Sequence, residues 1–177
     1  MISKIQFRIF VTTNWTDFTD YVSDYTYLTG TNMDPSVVQS NIIKVIPKFG
    51  YSIRQVYGPT AENAITSDYN GLVAGLFEAV ALIENNVETT NLTTRVATNV
   101  IDRFSKTMNS LNSDWPIDTL TTLYVDTWTS WLEQAVAKKN NDEIAFSAAE
   151  TKAINLTNEF IDVYVNGVIK QYQPIFF

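Results

Sequence analysis

Along the first dozen residues apolar and polar side chains alternate, with Ile5, Phe7, Ile9 and Val11 set against Gln6, Arg8 and Thr12. A period of two predicts a half-buried β-strand, because successive side chains of an extended backbone point to opposite faces. Asn14, with Asp17 three residues on, reads as an N-cap pair, and beyond it the period lengthens to that of a helix. Trp15, Phe18, Tyr21, Val22, Tyr25 and Leu28 fall on one stripe that closes at Gly30. Asp34-Pro35 then opens a short helix carrying Val38, Ile42, Val45 and Ile46. Pro47 ends it, since proline cannot donate to the helical ladder. Residues 51–57, bounded by Gly50 and Gly58-Pro59, read as a second strand, and pairing it with the first gives a small two-stranded antiparallel sheet. Residues 60–68 read as a loop.

Helical spacing governs the rest. Leu72, Leu76, Val80, Ile83 and Val87 recur at three and four residues, a helix of about five turns. Its flank carries Gly71, Ala74, Gly75, Ala79 and Ala81, small enough to admit another backbone. After a turn at 85–91 the next stripe is Val96, Val100, Phe104, Met108 and Leu111, broken by Asn112-Ser113-Asp114 and Pro116. A fifth helix carries Leu120, Leu123, Tyr124, Trp128, Trp131, Leu132, Ala135 and Val136, and ends in Lys138-Lys139, which complement its dipole. A sixth runs from about Ile144 to Gln171, with Ala149, Ala153, Leu156, Phe160, Tyr164 and Val168 in register. Ile154, Ile161 and Val165 make it apolar around more than half its girth, which predicts a central position. Pro174 stops it, leaving Ile175, Phe176 and Phe177 as an apolar cluster. The pattern predicts one mainly α domain over 1–177, an antiparallel bundle of about six helices beside the small sheet.

Composition sharpens this in three ways. Hydrophobic residues make up 45% of the chain, enough to bury a core. Charged residues are 18%, below the roughly 25% usual for soluble domains, and threonine and asparagine fill the gap. A neutral polar surface packs against copies of itself with little charge to desolvate, although compositional drift gives the same figures. The net charge of −7 supplies no bulk field toward nucleic acid or anionic lipid. No run of about eighteen apolar residues occurs, so no membrane span is predicted. The start of the chain leads into alternation rather than an apolar run, so a secretion signal is not expected either.

Candidate chemistry is sparse. The chain has no cysteine and no histidine. Thiol nucleophiles, Ser-His-Asp triads, proximal-histidine haem and most zinc sites need one or the other. No glycine-rich phosphate loop or nucleophile elbow is present. Carboxylates are the only plentiful reactive groups: Glu84 with Glu88, Asp142-Glu143, and the Glu150, Glu159, Asp162 set. They do acid–base or metal chemistry only when placed across a cleft, and are otherwise solvated surface. Neither catalytic residue, metal site nor cofactor is predicted, so the chain reads as a non-enzyme. Trp128 and Trp131, with Tyr124, make either an aromatic platform or core. Bases are absent between Arg54 and Arg95; then Arg95, Asn99, Arg103 and Lys106 form one polar stripe. That stripe is either a phosphate-contacting strip for single-stranded nucleic acid or an ordinary solvated face.

The segment Phe10-Val11-Thr12-Thr13-Asn14-Trp15-Thr16-Asp17 resembles the opening of the coat proteins of rod-shaped plant viruses of the tobamovirus kind. There a Phe-Val strand leads to a Trp-x-Asp helix. Tyr69-Asn70-Gly71-Leu72-Val73-Ala74-Gly75-Leu76-Phe77-Glu78-Ala79 is similar to the family's Tyr-Asn and Leu-Val-x-x-Leu pattern, and Met108-Asn109-Ser110-Leu111 to its Ile-Asn-Asn-Leu. Taken in order, the similarity covers roughly residues 7–112, a coat-like core followed by a helical pair at about 117–171 and the tail at 174–177. It implies an antiparallel helix bundle with a small sheet, polymerising into a helical rod around single-stranded RNA. Aligned back from Leu111, Arg95 falls on a family arginine, whereas Thr98 and Asn99 fall where the family has an aspartate pair.

The combined expectation is a self-assembling structural subunit, a viral coat protein forming a helical or other homopolymeric particle and residing in the virion. The alternative is a non-enzymatic helical binding module for an apolar ligand or partner helix. Copies of itself are the expected partner. The inter-subunit candidates are Glu84 and Glu88, whose like charges would make assembly tighten as pH falls. The tail residues Ile175, Phe176 and Phe177 would dock on a neighbour or fold back on their own bundle.

Overall fold

The computed structural model describes residues 3–172. Of these, 86% are helical, and none is in a strand. The helices are α1 (Lys4–Tyr27), α2 (Ser36–Tyr57), α3 (Pro59–Glu84), α4 (Thr90–Val96), α5 (Asp102–Leu111), α6 (Ile117–Lys139) and α7 (Glu143–Gln171). A π-helical stretch, Ala97–Ile101, joins α4 to α5 without a break, so the seven segments form six rods. The predicted bundle is present and the predicted sheet is not.

Both expected strands are turns of helix, each for a visible reason. Ser3 caps α1: Gln6 N donates to Ser3 Oγ (3.1 Å) while Ser3 N donates to Gln6 Oε1 (2.9 Å). This capping box starts the helix ahead of the Trp15 stripe, and growth from an existing turn needs no second nucleation. Asn14, read as the cap, sits mid-helix with its amide donating to Phe10 O. The alternation at 5–11 is also two i,i+4 pairs on opposite faces of a helix. Phe7 and Val11 are 2% and 0% exposed and join Trp15 and Phe18, whereas Ile5 and Ile9 are 73% and 59% exposed.

Residues 51–57 are the last turns of α2, which runs through Pro47. Pro47 lies on the solvent side, where the Ile43 carbonyl it leaves unpaired can meet water, while Ile46, Phe49 and Ile53 hold the other side in the core. The expected loop at 60–68 is the start of α3, with Pro59 in its first turn. Gly58 alone connects the two helices at φ +85°, a backbone region that side chains disfavour. A reversal in one residue makes α2 and α3 an antiparallel hairpin.

Helix α1 packs on α2, α6 and α7, and α3 on α2, α6 and the α4–α5 rod. Every rod sends a ring to the centre: Trp15 and Phe18, Phe49, Tyr69, Phe104, Tyr124, and Phe160 with Tyr164. Ring centroids lie 4.1 Å apart for Trp15–Phe49, 4.5 Å for Phe49–Tyr69 and 4.5 Å for Phe104–Tyr124. Such pairs add about 0.5–1.5 kcal/mol each beyond the area they bury. The rings' polar atoms are satisfied internally. Trp15 Nε1 donates to the Tyr69 hydroxyl (3.2 Å), which also bonds the Tyr124 hydroxyl, and Tyr164 bonds Ser52 (3.1 Å). Burial pushes the Tyr69, Tyr124 and Tyr164 phenols above their ordinary values, so they stay protonated.

The small flank read on α3 does admit a neighbour. Val100 rests on Gly71, and a Cβ at Gly75 would meet Val96 at 2.8 Å and Trp128 at 3.3 Å. Gly75→Ala is therefore expected to lower stability by about 1–3 kcal/mol through overpacking. Thermal or urea melts followed by far-UV circular dichroism measure it; an unchanged midpoint would mean the α4–α5 rod is free to shift.

Candidate interaction face

The polar stripe Arg95, Asn99, Arg103, Lys106 is exposed, and its cations already have partners. Arg95 binds Glu78 at 2.5 Å, Arg103 binds Asp68 at 2.6 Å, and Lys106 binds Asp102 at 2.7 Å. Asn99 alone of the four has no side-chain hydrogen bond or ion pair among the described residues. The π-helical stretch falls inside the stripe and turns Arg95 away from the straight line that a four-residue spacing draws. A phosphate would have to compete with three carboxylates for these bases.

The same contacts revise the acidic segment between Arg54 and Arg95. Its five acids have no base nearby in sequence, yet Glu62 pairs with Arg54 at 3.1 Å, Asp68 with Arg103 and Glu78 with Arg95. Packing α3 between α2 and the α4–α5 rod brings those bases in. Asp68 is the deepest of the five, its side chain only 4% exposed, with both Nε and Nη2 of Arg103 on Oδ1. Burial raises its carboxyl above the ordinary aspartate value, and the guanidinium pulls it part of the way back. The signal was its position: Asp68 follows Ala61 and Ile65 on the inner side of α3, a stripe hidden once 60–68 is read as loop.

Glu84 and Glu88 do not share a helix face, because α3 ends at Glu84 rather than running through Val87. Lys139 ends it from across the bundle. Its ammonium donates to the carbonyls of Ile83 and Glu84 (3.2 Å for the latter) and to Asn86 Oδ1 (2.7 Å), which places a cation on the negative helix terminus. Asn86 then turns the chain at φ 58°. Both glutamates are exposed and have no ion pair among the described residues.

The other acids are dispersed. Asp142 caps α7 by accepting from Ala145 N, Glu143 pairs with Lys138, and Asp162 pairs with Arg8. Among the described residues no three potential metal ligands come together. Trp128 and Trp131 are buried, so they form core and not a surface platform. The tail candidates Ile175, Phe176 and Phe177 lie outside the described residues.

The described residues also form concave surface at the α6–α7 end, which the pattern of apolar and polar positions does not single out. Between the end of α6 and the start of α7 runs an open groove of about 610 Å3. Leu132, Val136, Ala137, Ala145, Ala148 and Ala149 supply its apolar lining. Glu133 and Lys152, paired at 3.2 Å, close one side, and Asn140 and Asp142 lie at the hairpin turn. Ile144, next to the groove residue Ala145, is 86% exposed, and Val136 is 45% exposed. A second hollow of about 400 Å3 shares Val136 and Asn140 and adds Ile83, Val87, Glu88 and Thr90. The recess exists because alanine occupies three positions of α7 at i, i+3 and i+4, where larger side chains would fill the space. That spacing, Ala145, Ala148, Ala149 behind an exposed Ile144, was the available signal. No described helix is long and apolar enough to cross a membrane. Compared with protein-family models, with curated proteins and with solved structures, the chain has no match.

Proposed function

We propose that this chain is a non-enzymatic, self-assembling structural subunit, of the kind that builds a viral coat or another homopolymeric particle. The observation that carries the reading is the apolar groove at the α6–α7 end, with Ile144 and Val136 standing exposed beside it. Apolar surface of this kind, rimmed by polar groups, marks places where proteins associate. The surface around it suits close contact, since Lys152 and Lys138 there are already paired with Glu133 and Glu143 of the same chain and need no new partner when water is excluded. The likeness of residues 10–17, 69–79 and 108–111 to rod-forming coat proteins points the same way. Enclosed nucleic acid is left out of the proposal, because the bases of the candidate strip are engaged. As a coat subunit, the chain would reside in the virion.

The same groove also suits a partner helix, which would lay an apolar face along the alanine seam. That makes a helical binding module the second reading. Sedimentation velocity and negative-stain imaging at micromolar concentration separate the two. The expected result is ordered polymers or rings for the native chain, and monomers for Val136→Glu/Ile144→Glu with an unchanged helical circular dichroism spectrum. Both substitutions sit on exposed side chains, so they alter the face without touching the core. A native chain that stays monomeric from pH 8 to 5 at every concentration would overturn the assembly reading and leave the module.

A further inference from the structure

We infer that the space between α1, α3, α6 and α7 is an internal binding site for one water molecule, held by Trp131, Thr127 and the Thr19–Thr157 pair. The cavity there measures about 20 Å3. About 10–15 Å3 is enough to admit a single water, whereas a dry apolar cavity that takes benzene measures about 150 Å3. Size selects water and rejects an organic guest.

Polarity selects water over an unfilled apolar space. Trp131 lines the cavity, is 3% exposed, and its Nε1 has no acceptor among the described residues. A buried indole N–H left without a partner is costly, so it is expected to find one. Thr19 Oγ1 and Thr157 Oγ1, both buried and both on the cavity wall, lie 2.8 Å apart. Two hydroxyls carry two protons, and the bond between them uses one. Thr127 Oγ1, also on the wall, donates to Leu123 O (2.7 Å), which leaves its lone pairs open. The Tyr69 and Tyr124 hydroxyls that border the same space bond each other, and Tyr69 accepts from Trp15.

One oxygen among these groups completes the set. It accepts the indole proton and the remaining threonine proton, and it donates a proton of its own to Thr127 Oγ1. About three bonds is usual for a buried water. The molecule also joins helices that the side chains alone do not join at this point. The Thr19–Thr157 bond links α1 to α7, while Thr127 on α6 bonds within its own helix and Trp131 bonds to neither threonine. Water ties α6 to that pair. An apolar ligand finds no room in this part of the core, so a binding module would have to use the α6–α7 groove.

A crystal structure of the native chain, at a resolution that shows ordered water, tests this directly. The expected result is one density peak in the cavity, about 2.7–3.2 Å from Trp131 Nε1 and from at least one of the three threonine hydroxyls. In solution, an isotope-labelled chain is expected to show a rotating-frame cross-peak between water and the Trp131 indole proton. Thr19→Val/Thr157→Val removes two hydroxyls at nearly constant volume, and it is expected to lose both the cross-peak and the density. A native cavity without density overturns the site, and the indole proton would then rest on the Phe18 ring, whose centroid lies 5.7 Å from that of Trp131. Density that touches only carbon overturns it as well. A peak that survives unchanged in the double variant overturns the role of the threonines. Should that variant fail to fold, the native density still decides.

Discussion

Trp115→Ala is expected to lower the unfolding free energy by about 3–5 kcal/mol, the range for deleting a large aromatic ring from a packed core. Trp115 belongs to the short connection between α5 and α6, yet it is 0% exposed. Its indole stacks on the Tyr164 ring at 5.2 Å and 17°, and it meets Tyr57 at 5.5 Å. Nε1 donates to the Tyr164 carbonyl at 3.2 Å, so the connection is fastened to α7 by both area and a directed bond. Gly167 provides the room: a Cβ there would lie 2.1 Å from Nε1 and 2.6 Å from Cδ1. Gly167→Ala should therefore approach the same defect from the opposite side, at about 1–3 kcal/mol or more, because a stacked and hydrogen-bonded indole has nowhere to retreat. Urea denaturation followed by far-UV circular dichroism measures both. A Gly167→Ala chain with the native midpoint would mean that the indole can move, and the account of this contact would be wrong.

Much of the bundle was legible because its stripes are long. Leu72 to Ile83 and Leu120 to Ala135 repeat at helical spacing for several turns, and no other periodicity fits them. The two expected strands failed where the window was short. Four alternating apolar residues at 5–11 satisfy a strand, and they equally satisfy two helical faces. The capping box at Ser3 and Gln6, three residues apart, decided for helix. Pro47 misled in a different way, because a proline's effect depends on which side of the helix it occupies. On the solvent side the lost hydrogen bond is replaced by water, and the buried faces of Ile46 and Phe49 continue the helix past it.

The candidate site was less legible, because its properties belong to juxtaposed helices. Charge counted along the chain made the segment from Glu62 to Glu88 look unbalanced, and three of its acids meet arginines from α2, α4 and α5 only after folding. The groove is hidden for the opposite reason. Alanines at 145, 148 and 149 read as ordinary helix formers, and their meaning is the space that they leave beside Leu132 and Val136. Lys139 shows both effects together. Its place in the last turn of α6 suggested that it served its own helix dipole, whereas its ammonium caps α3.

Arg103→Met is expected to be strongly destabilising near neutral pH, because it leaves the buried Asp68 carboxylate without its donors. An unpaired buried charge of a tight pair costs about 3–5 kcal/mol when both partners are buried. Here the Arg103 side chain is 57% exposed, so the expectation is discounted for solvent to about 1–3 kcal/mol. Asp68→Asn removes the charge together with its desolvation, and the double variant Asp68→Asn/Arg103→Met should recover most of the loss, a coupling read from a double-mutant cycle. The pH dependence has a definite sign. Burial holds the folded Asp68 carboxyl above its ordinary value even with Arg103 in place, so the folded state binds the proton more tightly than the unfolded chain. Its contribution is fully present below the ordinary aspartate value and is lost as pH rises through the raised one. Native stability relative to Asp68→Asn should therefore fall as pH rises from about 4 toward 7. Asp20, raised by burial and by Asp17 and Asp24, adds a slope of the same sign, and comparison with Asp68→Asn subtracts it. Arg103→Met should steepen the fall and extend it to higher pH, since the guanidinium no longer pulls the carboxyl down. Urea midpoints at several pH values measure all four chains, and parallel curves for the native chain and Asp68→Asn would show that Asp68 ionises as freely in the fold as in the unfolded chain.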